Sequence, residues 1–322
     1  MALTPAYATL LAGLVALAVC ALAAPGLIRF ALQRGVVDRP AERKPHPKAT
    51  PTLGGTAVFA GLIAAVFVCF PFLPDRLRQD EINAILGISL GGALCFIVGL
   101  FDDLFGLRPG MKFLFQVLIA SAGILFGIKI GFLSGWDSEF IYLSRPLTVI
   151  LTIFWITALM NAVNLIDGLD GLAAGISAIA AAAFLILGLM QGQIAAALLS
   201  AAVLGASIGF LPYNFHPAKI FLGDAGSLLL GYVLATISIV GPFKTTTALT
   251  VVLPILILGL PLFDTSWAIL RRTVAGRKVY EADTGHVHHQ LHRRGLSHRA
   301  TVLTLYGISA VLAIVAVLVG AR

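Results

Sequence analysis

Ten long apolar runs recur along the sequence and dominate it. An α-helix needs roughly 20 apolar residues to cross about 30 Å of hydrocarbon, and the runs match that length. Because lipid offers no hydrogen-bond partner to an open strand edge, spans at this density are expected to be helices. The runs lie near residues 5–31, 53–73, 82–101, 111–131, 147–163, 172–190, 193–211, 226–241, 247–267 and 301–320.

The composition points to the same class of protein. Hydrophobic residues make up 59% of the 322 residues and charged residues 11%, against about 25% charged residues in soluble domains. The sequence therefore predicts an all-α, polytopic membrane protein with about ten transmembrane helices, in a single domain that covers residues 1–322. The net charge of +7 is explained by membrane topology, so no nucleic-acid partner is expected.

The basic residues are concentrated in every second connection between the predicted spans. Ten spans place segments 32–52, 102–110, 164–171, 212–225 and 268–300 on one face of the membrane. Counted from Arg29, that face holds all of the 22 Lys and Arg residues except Arg76, Arg78, Lys129, Arg145, Lys244 and Arg322. The positive-inside rule places this face in the cytoplasm and both termini outside. All seven histidines lie on the same side, so we expect the active site there.

The first polar segment reads RGVVDRPAERKPHPKATPTLGG. Its prolines forbid a continuous helix, and Gly54 and Gly55 allow the backbone to approach another segment closely. Lys48 and Thr50 are candidates for binding a phosphorylated ligand. A basic loop that anchors the chain beside anionic lipid is the alternative interpretation.

Adjacent carboxylates end the third predicted span, in the segment FDDLFGLRPGMKF. Asp102 and Asp103 repel each other and stay ionised only where a cation or solvent compensates their charge. Carboxylate oxygens suit Mg²⁺, which prefers oxygen ligands. An ordinary helix end beside Gly and Pro is the alternative.

The segment NAVNLIDGLDGLAAG follows the fifth predicted span. Asn161, Asn164 and Asp167 are spaced by three residues and share one face of a helix. Asp167 and Asp170 each precede a glycine, a combination typical of tight turns. A capped turn would explain one aspartate, but four polar side chains at regular spacing favour a polar site.

The segment PYNFHPAKIFLGDAGSLLLG leads into the eighth predicted span. Asp224 stands at the helix start, where the helix dipole favours negative charge, so an N-cap is one interpretation. Asn214 and Phe221 lie in the same short connection. A phenylalanine among polar residues offers a stacking surface for a base.

The longest connection reads RRTVAGRKVYEADTGHVHHQLHRRGLSHR. Its histidines suggest zinc, but the HExxH pattern is absent and no cysteine is near. With the surrounding arginines they predict an anion-binding lid that includes His286, His288, His289 and Arg293. Asp264, at the inner end of the ninth span, is expected to pair with Arg271 or Arg272.

Five segments in this order resemble the polyprenyl-phosphate N-acetylhexosamine-1-phosphate transferases. They are TPTLGG, FDD, NAVNLIDGLDGLAAG, FLGDAGSLLLG and the longest connection with its histidines, which we call the histidine loop. The resemblance covers almost the whole chain. It implies transfer of a sugar 1-phosphate from a UDP-sugar to a membrane lipid phosphate, with release of UMP, in the bacterial cytoplasmic membrane. It also implies Mg²⁺ as the cofactor, with Mn²⁺ as a substitute ion.

The resemblance further implies roles for individual residues. Asp224 and Asn164 would hold the metal. The catalytic group would be Asp102, Asp103, Lys112 and Asp167. The substrates would be bound by Lys48, Thr50, Asn161, Asp170, Asn214, Phe221, His286, His288, His289 and Arg293. Phe221 would stack on uracil, and the histidine loop would hold the sugar.

The histidine loop also bears on the donor. GHVHHQL resembles the HxHH pattern of bacterial GlcNAc-1-phosphate transferases, whereas phospho-MurNAc-pentapeptide transferases usually carry three consecutive histidines. Val287 interrupts the run here. UDP-GlcNAc and undecaprenyl phosphate are therefore the expected substrates, with UDP-MurNAc-pentapeptide as the alternative donor.

Direct attack of the lipid phosphate on the donor is the expected mechanism, since a phosphomonoester is mostly dianionic at neutral pH. A covalent aspartyl-phosphate route would use the same residues. The rival function is a cation-coupled transporter, which would place its charges near mid-bilayer and not at the helix ends. A homodimer through the outer spans is compatible with the many glycines and alanines, which are common in membrane helices generally.

Overall fold

The computed structural model describes residues 4–38, 49–72, 77–134, 140–241, 252–274, 276 and 287–321. The α-helices of these residues are α1 (Pro5–Arg34), α2 (Gly54–Cys69), α3 (Gln79–Phe105), α4 (Pro109–Leu125), α5 (Arg145–Ile166), α6 (Leu172–Met190), α7 (Ile194–Asn214), α8 (Gly223–Val240), α9 (Val252–Ile257), α10 (Gly259–Val274), α11 (Val287–Arg293) and α12 (His298–Gly320). A short 3-10 helix, Phe70–Phe72, follows α2.

Two small antiparallel sheets accompany the helices. β1 (Val37–Asp38) pairs with β2 (Thr50–Pro51), and β3 (Phe132–Ser134) pairs with β4 (Phe140–Tyr142). The sequence pattern did not predict these strands, because two or three residues are too few to show a period. They lie in the connections and leave the helical character of the protein unchanged.

Eight of the described helices are long and apolar enough to cross a membrane. They are α1, α2, α3, α5, α6, α7, α8 and α12. This confirms a polytopic, helical membrane protein, whereas the total of ten spans and the side of the termini stay predictions. α4 has only 17 residues, because the chain turns at Gly127, whose φ is 83°.

The predicted ninth span, 247–267, has a more complex structure. Its first residues, 247–251, lie outside the described residues, and the rest is divided between α9 and α10. Pro261 has no N–H to donate to the carbonyl of Ile257, which explains the interruption near Leu258. α10 continues beyond the predicted span to Val274.

α8 is the central helix of the fold. Every residue from Ala225 to Val240 is buried, and α8 packs against α2, α3, α5, α6 and α7. A helix that is apolar on all sides can be enclosed in this way. Because its neighbours hold it on every side, the first turn of α8 has a fixed place relative to the ends of α3 and α5.

The polar segments meet at one end of the helices. Phe221, before α8, donates its N–H to the carbonyl of Pro51 in β2 at 2.8 Å. Arg299, at the start of α12, donates to the carbonyl of His216, which follows α7. The structure therefore brings together connections that are far apart in the sequence, as the pattern of polar segments predicts.

Candidate active site

The first turn of α8 lies where three chain segments touch through their backbones. A Cβ at Gly55 would lie 2.3 Å from the Gly226 nitrogen, and one at Gly99 would lie 2.4 Å from the carbonyl oxygen of Asp224. Gly55 also donates its N–H to the carbonyl of Leu222 at 2.8 Å. Gly55 therefore makes a close backbone approach, as the sequence predicts, and its partner is the turn that contains Asp224.

Asp103, at the C-terminal end of α3, caps α8. Its Oδ1 accepts the N–H of Asp224 at 2.8 Å, and its Oδ2 accepts the N–H of Ala225 at 3.0 Å. The first N–H groups of a helix have no partner inside it, and the helix dipole attracts an anion there. The cap is therefore supplied by a residue 121 positions away, and the Asp224 side chain engages other groups.

Lys112, in the first turn of α4, joins two carboxylates. Its Nζ lies 2.8 Å from Asp102 Oδ2 and 2.7 Å from Asp224 Oδ2. Asp102 Oδ1 also accepts the N–H of Leu107 at 2.6 Å. The Asp102 side chain is 10% exposed and that of Asp224 is 30% exposed. Asp224 is therefore the more open of the two acids.

Asn164, near the end of α5, completes a group that we call the ionic cluster, formed by Asp102, Lys112, Asn164 and Asp224. Its Nδ2 donates to Asp224 Oδ1 and, at 2.8 Å, to Ser227 Oγ. Lys112 Nζ lies 3.5 Å from Asn164 Oδ1. The sequence pattern did not single out Ser227, although its position three residues after Asp224 places both on one face of α8.

Asp167 lies half-buried one turn beyond Asn164. Burial raises the pKa of its carboxyl well above the usual range, and the negative charges of Asp224 and Asp103 raise it further. Among the described residues, Lys112 is the cation that pairs with the carboxylates of Asp102 and Asp224. The excess of negative charge and the set of carboxylate and amide oxygens fit a hard divalent cation such as Mg²⁺.

Asn161 lies one turn before Asn164 and contacts α4. Its Nδ2 donates to Gln116 Oε1 at 2.7 Å and to the carbonyl of Thr157 at 2.7 Å, and Gln116 Nε2 lies 3.4 Å from Asn161 Oδ1. Gln116 is buried one turn beyond Lys112. This amide pair therefore forms the layer next to the ionic cluster, and the predicted substrate contact of Asn161 stays a prediction.

A second polar group surrounds Asp170. Its Oδ2 lies 2.8 Å from His216 Nδ1. Asn214 is buried close by, where its Oδ1 accepts the N–H of Gly171 at 3.0 Å and its Nδ2 donates to the carbonyl of Ile220 at 2.9 Å. Asn214 thus ties the turn after α5 to the connection after α7. The substrate roles of Asp170 and Asn214 stay predictions.

Thr50 and Phe221 lie where the first polar segment meets the connection before α8. Thr50 is buried in β2, and Phe221 is half-buried. The carbonyl of Phe221 accepts the N–H of Gly54 at 3.0 Å, which fixes the Phe221 backbone three residues before Asp224. Lys48, the other predicted substrate contact of this segment, lies outside the described residues.

α11, which is part of the longest connection, contacts the turn after α5 through His288. His288 is buried, and a Cβ at Gly168 would lie 2.9 Å from its Nε2. The His289 ring is exposed and lies 4.2 Å from the His288 ring. Arg293 is exposed at the end of α11, and His286 lies outside the described residues.

Asp264 positions the start of α11. Its Oδ1 accepts the N–H of Val287 at 2.8 Å, and its side chain is buried in α10. The predicted pairing of Asp264 with Arg271 or Arg272 stays a prediction. The contact to Val287 links the end of the predicted ninth span to the residue directly before His288.

Comparisons with known proteins cover the same residues. The sequence model described as Glycosyl transferase family 4 matches residues 85–242, a range that includes Asp102, Lys112, Asn164 and Asp224. Bacterial relatives align over most of the chain.

The chain is 39% identical over 303 residues to a Bacillus subtilis (strain 168) protein named probable undecaprenyl-phosphate N-acetylglucosaminyl 1-phosphate transferase. This alignment covers 91% of this chain and 80% of that protein. It is 36% identical over 306 residues to the decaprenyl-phosphate N-acetylglucosaminephosphotransferase of Mycobacterium tuberculosis (H37Rv), covering 88% and 76%. It is 30% identical over 310 residues to a phospho-N-acetylmuramoyl-pentapeptide-transferase of Listeria monocytogenes serotype 4b, covering 92% and 91%.

Proposed function

Because the chain belongs to glycosyl transferase family 4, we propose that it transfers GlcNAc 1-phosphate from UDP-GlcNAc to undecaprenyl phosphate and releases UMP. The observation that carries the proposal is the cluster of Asp102, Lys112, Asn164 and Asp224 at the helix ends. The relatives named for GlcNAc transfer are 39% and 36% identical, and the one named for muramoyl-pentapeptide transfer is 30% identical.

The proposed reaction is a displacement at the β-phosphorus of the donor. An oxygen of the lipid phosphate forms a bond to this phosphorus, and the bond to the bridging diphosphate oxygen breaks, so that UMP leaves with the electron pair. Phosphoryl transfer asks mainly for positioning and charge stabilisation. Lys112 supplies positive charge, and Asn164 orients the Asp224 carboxylate.

The contacts of the two adjacent aspartates favour direct attack over an aspartyl-phosphate. Both carboxylate oxygens of Asp103 accept backbone hydrogen bonds of α8, and Asp102 is engaged by Lys112 and by the N–H of Leu107. A carboxylate held in this way is a poor nucleophile. The lipid phosphate needs little base assistance, since its second pKa is near 6.

Mg²⁺ belongs to the proposal as the cofactor, held by Asp224 and Asn164 with Asp102 beside them. When bound, a divalent ion neutralises the diphosphate and the charge on the leaving UMP. We expect EDTA to abolish turnover and Mg²⁺ to restore it. We also expect Mg²⁺ to raise the melting temperature of the purified protein, and Asp224→Asn to remove that shift. A wild-type melting temperature that ignores both EDTA and Mg²⁺ would contradict the metal assignment.

The proposed location is the bacterial cytoplasmic membrane, with the cluster at the cytoplasmic face. There a water-soluble nucleotide sugar and a membrane lipid phosphate can both reach the helix ends. The product, a lipid-linked diphosphate sugar, would prime a cell-envelope polysaccharide. The homodimer stays a prediction.

Release of UMP from UDP-GlcNAc tests the function. Purified protein is supplied with undecaprenyl phosphate and Mg²⁺, and UMP and the lipid product are measured. Asp224→Ala should abolish release, whereas Asp80→Ala, at the opposite end of α3 and 53% exposed, should leave it unchanged. Absence of UMP with any UDP-sugar would favour the rival transporter.

The donor is tested by direct comparison of the two nucleotide sugars. One preparation is given UDP-GlcNAc and UDP-MurNAc-pentapeptide in turn, each with undecaprenyl phosphate. A higher kcat/KM for UDP-GlcNAc is expected. The reverse order would favour the alternative, phospho-MurNAc-pentapeptide transfer, for which the 30% identical relative is named.

A further inference from the structure

The start of α12 contacts the connection after α7 through two adjacent residues. The rings of His298 and His216 are stacked, with centroids 4.1 Å apart and planes 19° from parallel. Arg299 donates from Nε at 3.1 Å and from Nη2 at 2.9 Å to the carbonyl of His216. Ser297 caps the helix by accepting the N–H of Ala300 at 3.3 Å. The side chain and the backbone of His216 are therefore both held by α12.

A third contact lies two turns further along α12. Tyr306 donates its hydroxyl to the carbonyl of Gly171, and a Cβ at Gly175 would lie 1.9 Å from the Tyr306 oxygen. Residues seven or eight positions apart lie on the same face of a helix. One face of α12 therefore holds both the turn after α5 and the connection after α7.

These contacts converge on Asp170. Its Oδ2 lies 2.8 Å from His216 Nδ1 and accepts the N–H of Ala218 at 3.1 Å. Asp170 directly precedes Gly171, the partner of Tyr306. A carboxylate that is fixed through its histidine on one side and through its backbone on the other has little freedom to rotate away from a ligand.

A metal ion is a poorer explanation of the same group. Ligand atoms of Asp170, His216 and His298 lie within 4.8 Å of one another. A histidine nitrogen binds a metal through a lone pair in the plane of its ring. Because the two rings are stacked and nearly parallel, their lone pairs do not converge on one ion. The geometry is that of a hydrogen-bonded clamp.

We propose that the face of α12 formed by His298, Arg299 and Tyr306 positions Asp170 for the nucleotide part of the donor. These three are positioning residues, because they act through His216 and Gly171. The inference rests on the proposed function, since it assumes a uridine nucleotide beside Asp170. It extends that function by assigning donor affinity to a helix outside the ionic cluster.

Tyr306→Phe is the sharpest test, because it removes one hydroxyl and keeps the ring. Loss of one hydrogen bond that positions a binding group is expected to raise the KM for UDP-GlcNAc by about fivefold to tenfold. The kcat and the KM for undecaprenyl phosphate should stay within about twofold. The Kd for UMP, measured by calorimetry, should rise by the same factor as the KM for UDP-GlcNAc.

Tyr232→Phe is the matched control. Tyr232 donates its hydroxyl to the carbonyl of Gly87 at 3.2 Å, between α8 and α3. Each of the two variants loses one hydrogen bond from a tyrosine hydroxyl to a glycine carbonyl, so both should melt at a lower temperature than wild type. Only Tyr306→Phe should change the KM for UDP-GlcNAc. Arg299→Ala should raise the KM for UDP-GlcNAc, and Arg299→Lys should restore it in part.

The failure of each idea is distinguishable. If wild-type protein releases UMP while Tyr306→Phe and Arg299→Ala keep the wild-type KM and UMP affinity, the role of α12 is refuted and the proposed function stands. If wild-type protein releases no UMP but binds it, and Tyr306→Phe weakens that binding, the proposed reaction fails and the positioning role stands. Absence of both activity and UMP binding would overturn both.

Discussion

The side chain of Asp103 binds the backbone of Asp224, because the Asp103 carboxylate accepts the N–H of Asp224 at 2.8 Å. The two acids consequently have different tasks. Asp103 holds the start of α8, and Asp224 presents its side chain to Lys112 and Asn164. The position of the open carboxylate therefore depends on the capping one.

Replacing Asp103 by Asn should weaken the cap. An amide has one acceptor oxygen, so one of the two bonds to α8 and the favourable charge at its N-terminus are lost. We expect the free energy of unfolding to fall by about 1–2 kcal/mol and UMP release to fall because Asp224 shifts. Thermal unfolding in detergent and turnover are measured together.

Glu81→Gln is the matched control for Asp103→Asn. Glu81 is buried at the other end of α3, where its Oε1 accepts the N–H of Ile194 at 3.1 Å. This variant should lose stability to a similar extent but keep its turnover. Equal turnover in the two variants would show that the cap on α8 has no catalytic consequence.

Lys112→Met should abolish most of the activity. It removes the ammonium group from Asp102 and Asp224 and leaves two neighbouring carboxylates without their cation. Loss of a preorganised charge at a reacting phosphate is expected to lower kcat by about 100-fold or more. Lys129→Met, at an exposed position after α4, should keep the wild-type rate, and a Lys112→Met enzyme as fast as this control would refute the role.

Gly168→Ala should displace the His288 ring. The added Cβ would lie 2.9 Å from His288 Nε2, so the imidazole must shift away from the turn after α5. We expect a higher KM for UDP-GlcNAc and a lower kcat. Gly110→Ala, where a Cβ would find no atom within 4 Å, serves as the control, and identical kinetics in both variants would mean that His288 is not needed where the structure places it.

Asp167→Asn should change the pH dependence of stability. The pKa of the Asp167 carboxyl is raised in the folded protein by burial and by Asp224 and Asp103. As pH rises above the ordinary pKa of an aspartate, the unfolded chain loses this proton first, so the wild-type protein loses stability until the folded carboxyl also ionises. At pH 8 in EDTA the Asn variant should therefore melt at a higher temperature than wild type, and the difference should shrink toward pH 4. A constant difference across this range would contradict the assignment.

Thiol labelling tests the predicted orientation. The three native cysteines, Cys20, Cys69 and Cys95, are buried, so an exposed introduced cysteine can be labelled selectively. Arg108 precedes α4 and Lys129 follows it, and both are exposed. A membrane-impermeant maleimide should label Lys129→Cys in intact cells. It should label Arg108→Cys only after the cells are permeabilised. The opposite result would invert the topology.

Much of the architecture was predictable because its signals are local. Apolar runs of membrane-spanning length indicate helices wherever they occur, and α1, α3, α5 and α12 extend slightly beyond the predicted limits. The interruption near Leu258 was harder to predict, because hydropathy continues across it while the missing N–H of Pro261 acts on the helix geometry.

The sequence by itself determined the membrane-helical class, the polar segments that bear the chemistry, and the family resemblance, since each of these is written in neighbouring residues. Only the tertiary structure decided that Asp103 caps α8, that Lys112 joins Asp102 and Asp224, and that Asn161 pairs with Gln116. Asp103 and Asp224 are 121 positions apart in the chain, Lys112 and Asp224 are 112 apart, and Asn161 and Gln116 are 45 apart. Which polar groups meet depends on how the helices pack around α8, and hydrophobic packing against a central helix leaves no record in the local pattern of any one segment.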